Sequence, residues 1–190
     1  MIRSIGAQIG LAYSDDSLQL ISELSGGHPF LARQLCSLLY KRRQYDKRQR
    51  IEVPEVAHTA QRFIYDDSTA SRLVRIWQDA GNNELWGAAS AEANHSLLLD
   101  LARAGHPVPE HDLLNHPDAD ADARQVALIN LERYHMIHQP QTGRYAIRFG
   151  LLENWLRRRK LGLTRTSDHE SRELRESLTT NQDASRDANH

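Results

Sequence analysis

Cysteine is nearly absent: Cys36 stands alone among 190 residues, which excludes a disulfide framework and any CxxC zinc site. The dipeptide Gly-Lys does not occur, so the phosphate-cradling loop GxxxxGK[ST] is missing. No apolar run approaches the roughly 18 residues of a membrane span, and the opening MIRSIGAQIGLAYS is too weakly apolar for a signal peptide. A cytoplasmic protein without membrane contact is the expectation. Charge of one sign is lacking too. The 24 Lys and Arg are balanced by 25 Asp and Glu, so no global field draws the chain to nucleic acid or to an anionic bilayer. β-Branched residues are few: Val and Ile total 15 against 45 for Leu and Ala, which favours helix over strand. Yet Leu, Ile, Val and Phe together number 43, enough for a real core. The composition predicts an all-α dominated fold, with length for one generous domain or two small ones.

Asp15, Asp16 and Ser17 offer N-caps for a short helix with Leu18, Ile21 and Leu24 on one face, stopped at Gly26. Pro29 starts a second, whose apolar face carries Phe30, Leu31, Leu35, Leu38 and Leu39. Among them Cys36 reads as a small apolar residue. The end of this helix opens a basic stretch: Lys41, Arg42, Arg43, Lys47, Arg48 and Arg50 against the single Asp46. Such a run is a solvated helix exit complementing the macrodipole, with a phosphate-binding patch as the alternative. Pro54 starts a third helix and Ser68 caps a fourth that ends at Gly81. These elements make a helical bundle over residues 1–81.

The character then changes. A strong helix over 91–104 ends at Gly105, Pro109 opens a short one, and Asp118 or Asp120 caps another through Tyr134. Two alternating stretches flank Gln139-Pro140-Gln141-Thr142-Gly143, predicting a β-hairpin, and a closing helix runs over 151–160. Helices followed by a hairpin give the order of a winged helix-turn-helix over 82–163. Residues 164–190 hold no aromatic residue and few apolar ones, so they are expected to form a disordered tail.

Several motifs stay structural. Leu97-Leu98-Leu99-Asp100 mimics a magnesium-positioning strand but lies inside a helical pattern. His106, His111 and His116, with Asp112 and Asp118, match no zinc spacing, so no metal site is expected. As a DNA reader the winged helix would use Arg124, Arg144 and Arg148, supported by the basic run 157–160. Asp118, Asp120 and Asp122 would repel phosphate at the same helix, which disfavours this alternative. The most informative local feature is Ser25-Gly26-Gly27-His28-Pro29-Phe30. Two glycines let a ligand approach the backbone, and the following helix offers N–H groups and a positive dipole end.

Leu24-Ser25-Gly26-Gly27-His28-Pro29-Phe30-Leu31-Ala32-Arg33-Gln34-Leu35-Cys36 resembles the helical-lid segment of prokaryotic AAA+-like STAND ATPases, whose Gly-x-Pro motif lies beside the adenine. Residues 131–155, with Tyr145-Ala146-Ile147-Arg148-Phe149, resemble the end of the winged helix that follows that lid. The resemblance implies a nucleotide-facing corner at Gly27, His28 and Pro29, with Pro29 against the base. In plant-type STAND proteins a histidine just after the wing meets the phosphate; here Arg148 occupies that region. The family's P-loop domain is not in these 190 residues, so Met1 is expected to begin inside a larger architecture. The resemblance therefore implies a non-catalytic lid and winged-helix module that relays nucleotide state through contacts with other protein domains. ATP or ADP is implied only together with a P-loop ATPase domain, joined to the chain or supplied as a separate subunit.

Overall fold

The computed structural model describes residues 11–43, 50–115 and 120–163. The expected tail, 164–190, lies outside them, as do Lys47, Arg48, His116 and Asp118. The chain opens with β1 (Ala12–Tyr13), which pairs in parallel with β2 (Arg50–Ile51). The cap of α1 (Asp15–Ser25) ties into this ribbon. Ser14, rather than Asp15, Asp16 or Ser17, is the N-cap: it accepts the Ser17 N–H at 3.2 Å, while the Ser17 hydroxyl donates to the Ile51 carbonyl at 2.9 Å. Gly26, at φ 56°, closes α1 in the left-handed conformation.

Helix α2 (Pro29–Arg43) buries Leu31, Leu35 and Leu39, whereas Phe30 at its first turn stays 46% exposed. In α3 (Val53–Tyr65) the buried face is Val56, Ala60, Phe63 and Ile64. In α4 (Asp67–Ala80) it is Ala70, Leu73, Ile76 and Ala80. The cap of α4 is Asp66, not Ser68: the carboxylate accepts both the Ser68 N–H and its hydroxyl. The expected boundary at residues 81 and 82 falls between α4 and the short α5 (Asn83–Trp86).

From there the order is α6 (Ala88–Ala104), β3 (Val108–Pro109), α7 (Glu110–Leu114), α8 (Ala121–Arg133), β4 (Ile137–Gln141), β5 (Arg144–Ile147) and α9 (Gly150–Arg159). The small sheet is ordered β3-β5-β4 and antiparallel throughout. The lone strand β3, between α6 and α7, pairs with β5, the second strand of the hairpin. The turn is tighter than the five residues expected, since Gln141 pairs with Arg144 across Thr142-Gly143, and the register shifts between His138 and Gln141. The fold is thus helix-dominated, with one hairpin in a minor sheet.

Helix α9 joins the two halves. It packs on α6 and on α1, α3 and α4, and its Leu151, Leu152, Trp155 and Leu156 lie in one buried cluster with Ile21, Phe63 and Leu73. Its basic end is spent in the same junction. Arg158 stacks 3.3 Å from the centre of the Tyr65 ring, Arg159 donates to the Tyr65 carbonyl and to Asp67, and Lys160 lies over Trp77 and Trp155. The run expected to support DNA contact is a clamp onto α3 and α4. No helix among the described residues is long and apolar enough to cross a membrane.

Candidate functional site at the glycine corner

The corner between α1 and α2 meets the turn that leaves the wing. Arg148 Nε donates to the Gly26 carbonyl at 3.1 Å, and the Phe149 ring sits edge-on to His28 with centres 5.8 Å apart. Gly26 has no room for a side chain, because a Cβ there would meet the Arg148 carbonyl and lie 2.6 Å from Phe149 Cδ1. Gly27 is different. It also has a left-handed φ, +75°, but nothing lies within 4 Å of where its Cβ would be. Gly27, Pro29 and Phe30 are exposed and His28 is half-buried, so this side of the corner is an open face.

The N–H groups expected to await a ligand are largely used. Gly27 donates to Ser22, His28 to Ser25, and Phe30 to Nδ1 of His28, which serves as the side-chain cap of α2; Pro29 has no N–H. The corner is therefore not a phosphate cradle. It presents a glycine backbone, a proline ring and the exposed Phe30 ring, a surface suited to a flat apolar group.

Cations come from elsewhere. Arg148 is exposed beside Gly26, and Arg72 of α4 places its guanidinium 5.6 Å from the centre of the Phe30 ring, with a buried Nε that lacks an acceptor. Burial and then the charge of Arg72 hold the His28 imidazole below its ordinary pKa, so His28 caps α2 in its neutral form at pH 7. Arg72 was not legible as a site residue. Its signal in the sequence is its place one helical step from Thr69 and Ile76, a cation at the margin of the α4 core stripe.

The other candidate cations are engaged. Arg124 is only 1% exposed: its guanidinium donates to the Leu113 carbonyl, to Ser96 Oγ at 3.0 Å and to the Asp100 carboxylate. It locks α6, α7 and α8 together and faces no groove. Asp100, suspected only of mimicking a magnesium ligand, is its counter-ion. Arg144 is half-buried and donates to the Pro107 carbonyl at 2.8 Å. The outer face of α8 carries Asp122, Val126 and Ile129, with Arg133 as its exposed cation.

Among the described residues no group of three His, Cys, Asp or Glu is placed to hold a metal ion. His111 instead pairs with Asp112 at 2.9 Å, and His106 turns to the Pro107 carbonyl. Cys36 is half-buried against Tyr13, and burial raises its thiol pKa, which keeps it a weak nucleophile. Comparison of the chain with family models, with curated proteins and with solved structures finds no match.

Proposed function

We propose that this chain is a non-catalytic lid and winged-helix module of a STAND or AAA+-like ATPase, acting in the cytoplasm. It relays nucleotide state to other protein domains. The observation that carries this reading is the contact between Gly26 and Arg148, which joins the glycine corner to the end of the wing across 122 residues of sequence. A base resting on Gly27 and Pro29 would press on the same backbone that holds Arg148 and Phe149, so its arrival or loss is felt by the winged helix. Arg72 and Arg148 supply positive charge beside that face, and Arg148 takes the place of the family's phosphate-facing histidine. The triphosphate and its magnesium belong to a P-loop domain, part of a longer chain or a separate subunit.

The corner alone offers an apolar wall and few free donors, so ATP and ADP bind the isolated chain more weakly than about 1 mM, equivalent to less than roughly 4 kcal/mol. Titration calorimetry with either nucleotide, before and after joining the chain to the P-loop protein encoded in frame or beside it, tests this. Affinity that tightens at least tenfold on joining supports the reading. Micromolar affinity of the isolated chain, or hydrolysis lost on mutating one of its residues, refutes it. The rival reading, a winged-helix transcription regulator, is weakened by the burial of Arg124 and the clamp formed by residues 157–160. It predicts salt-dependent DNA affinity that falls on Arg148→Ala.

A further inference from the structure

At the opposite end of α2, about 18 Å along the helix from the glycine corner at 1.5 Å per residue, a groove of about 500 Å³ opens between α2, α3 and the start of α4. Its walls are Leu38, Lys41, Arg42, Thr59, Arg62, Asp66 and Thr69. Among the described residues three cations and one acid line it. The exposed Lys41, Arg42 and Arg62 form no salt bridge among the described residues. The Ser68 hydrogen bonds, and after them the charge of Arg62, hold the Asp66 carboxyl pKa low, so Asp66 stays anionic and offsets part of the Arg62 charge; three cations against one acid still leave the groove positive among the described residues.

The dipoles of α2 and α3 explain why cations gather near their ends. They do not explain Thr59. This residue is 4% exposed, lines the groove, and its hydroxyl has no hydrogen-bond partner. A buried hydroxyl left unpaired costs stability unless something meets it. In its observed rotamer that hydroxyl is closed to the groove, but a turn about χ1 would bring it to an anion there, which would also face the three cations.

We propose that this groove binds a small phosphorylated ligand with a non-aromatic body, of the sugar-phosphate or polyol-phosphate class. Arg42 and Arg62 have the planar donor fork that matches a phosphate monoester, Lys41 adds a compact charge, and Thr59 supplies the neutral donor. The volume is that of a ligand pocket rather than of a bare ion. Leu38 and the aliphatic stems of the cations give the body an apolar wall, and among the described lining residues no aromatic ring offers a nucleobase a stacking face.

The test is calorimetric titration of the purified full chain at constant ionic strength with glucose 6-phosphate, inorganic phosphate, glucose and AMP. Glucose 6-phosphate is expected to bind, inorganic phosphate more weakly, AMP no better than inorganic phosphate, and glucose not at all. Lys41→Gln and Arg62→Gln should each weaken glucose 6-phosphate about tenfold. Both residues are exposed, so unchanged melting will show the variants folded. Thr59→Val, which keeps the shape and removes the unpaired hydroxyl, should hold or raise the melting temperature while weakening the same ligand several-fold. Tighter AMP, or equal affinity for inorganic phosphate and glucose 6-phosphate, would overturn the ligand class. Absence of binding below about 10 mM for every phosphate, or native affinity in the Lys41→Gln/Arg62→Gln double variant, would overturn the site.

Discussion

Two adjacent glycines allow the contact between corner and wing to be weighed against a built-in control. Gly26 and Gly27 both have positive φ, 56° and 75°, so alanine at either pays about 1–2 kcal/mol for the left-handed backbone. Either change also removes conformational freedom from the unfolded chain by a similar amount, which offsets part of that cost and cancels in the comparison. Only the surroundings differ. A Cβ on Gly27 enters open space, whereas one on Gly26 runs into the Arg148 carbonyl and the Phe149 ring. Those groups are backbone and a buried aromatic, so relief requires the wing turn to shift, an overpacking cost of about 1–3 kcal/mol. Gly26→Ala should therefore be less stable than Gly27→Ala by about 2 kcal/mol. At an m-value of about 2 kcal/mol/M, the urea midpoint of Gly26→Ala would lie about 1 M lower. Unfolding followed by tryptophan fluorescence reads this directly, because Trp77 and Trp155 lie at the junction with centres 6.5 Å apart. Equal midpoints for the two variants would refute the corner-to-wing contact.

Arg124→Ala leaves the Leu113 carbonyl and Ser96 without their donor and Asp100 with Arg103 as its remaining partner, so it should cost about 1–3 kcal/mol in chemical denaturation, more than loss of an exposed surface cation. Arg133→Ala, an exposed change on the same helix, should stay within about 0.5 kcal/mol. His95 stacks on Trp77 at 3.7 Å and its Nε2 bonds to the Trp77 carbonyl; burial, and after it Lys160, hold its pKa below 6.5. The unfolded chain then takes up the proton first, so this contribution is whole above pH 6.5 and is lost as pH falls through the depressed folded value. His28 acts in the same sense, while the half-buried Glu153, whose pKa is raised, acts in the opposite one. Denaturation at pH 7.5 and pH 5 should show a smaller loss in His95→Phe than in the native chain, and an identical loss would contradict this. Pro29→Ala should leave melting nearly unchanged yet blunt nucleotide-dependent behaviour once the chain is joined to its P-loop partner; a normal response there would show that Pro29 does not face the base.

Helix faces were legible because Leu and Ala recur at helical spacing between clear stops: Gly26, Gly81 and Gly105 end α1, α4 and α6 where the pattern ends. The hairpin was legible from its alternation around Gly143. The ribbon of β1 and β2 was not, since two-residue strands 38 positions apart have no periodicity, and their pairing depends on Ser14 and Ser17 finding the Ile51 carbonyl. Charge misled most. A cation in a sequence has no direction, so Arg124, buried among three acceptors, and Arg158, Arg159 and Lys160, which reach Tyr65, Asp67 and Trp77, could all be assigned to the disfavoured DNA-binding alternative. What settles a cation's role is which acceptors and rings the fold brings within reach, and those lie 11 to 94 residues away.

Helix α9 is also where the two halves of the chain meet. The clamp at the end of α9 and the Arg148 contact at its start bracket one ten-residue helix, which also carries Leu152 and Trp155 into the shared core. A rigid helix held at both ends against α1, α3 and α4 cannot tilt without breaking one of those attachments. Under the proposed reading a base that displaced Gly26 would act on the Arg148 end, held by one exposed hydrogen bond, whereas the basic end is held by Arg158 on Tyr65, by Arg159 on the Tyr65 carbonyl and Asp67, and by Lys160 over Trp77. The Arg148 end is thus the weaker attachment, and a movement that began at the glycine corner would loosen α9 there first, while the basic end and the buried Trp155 hold it to α3 and α4.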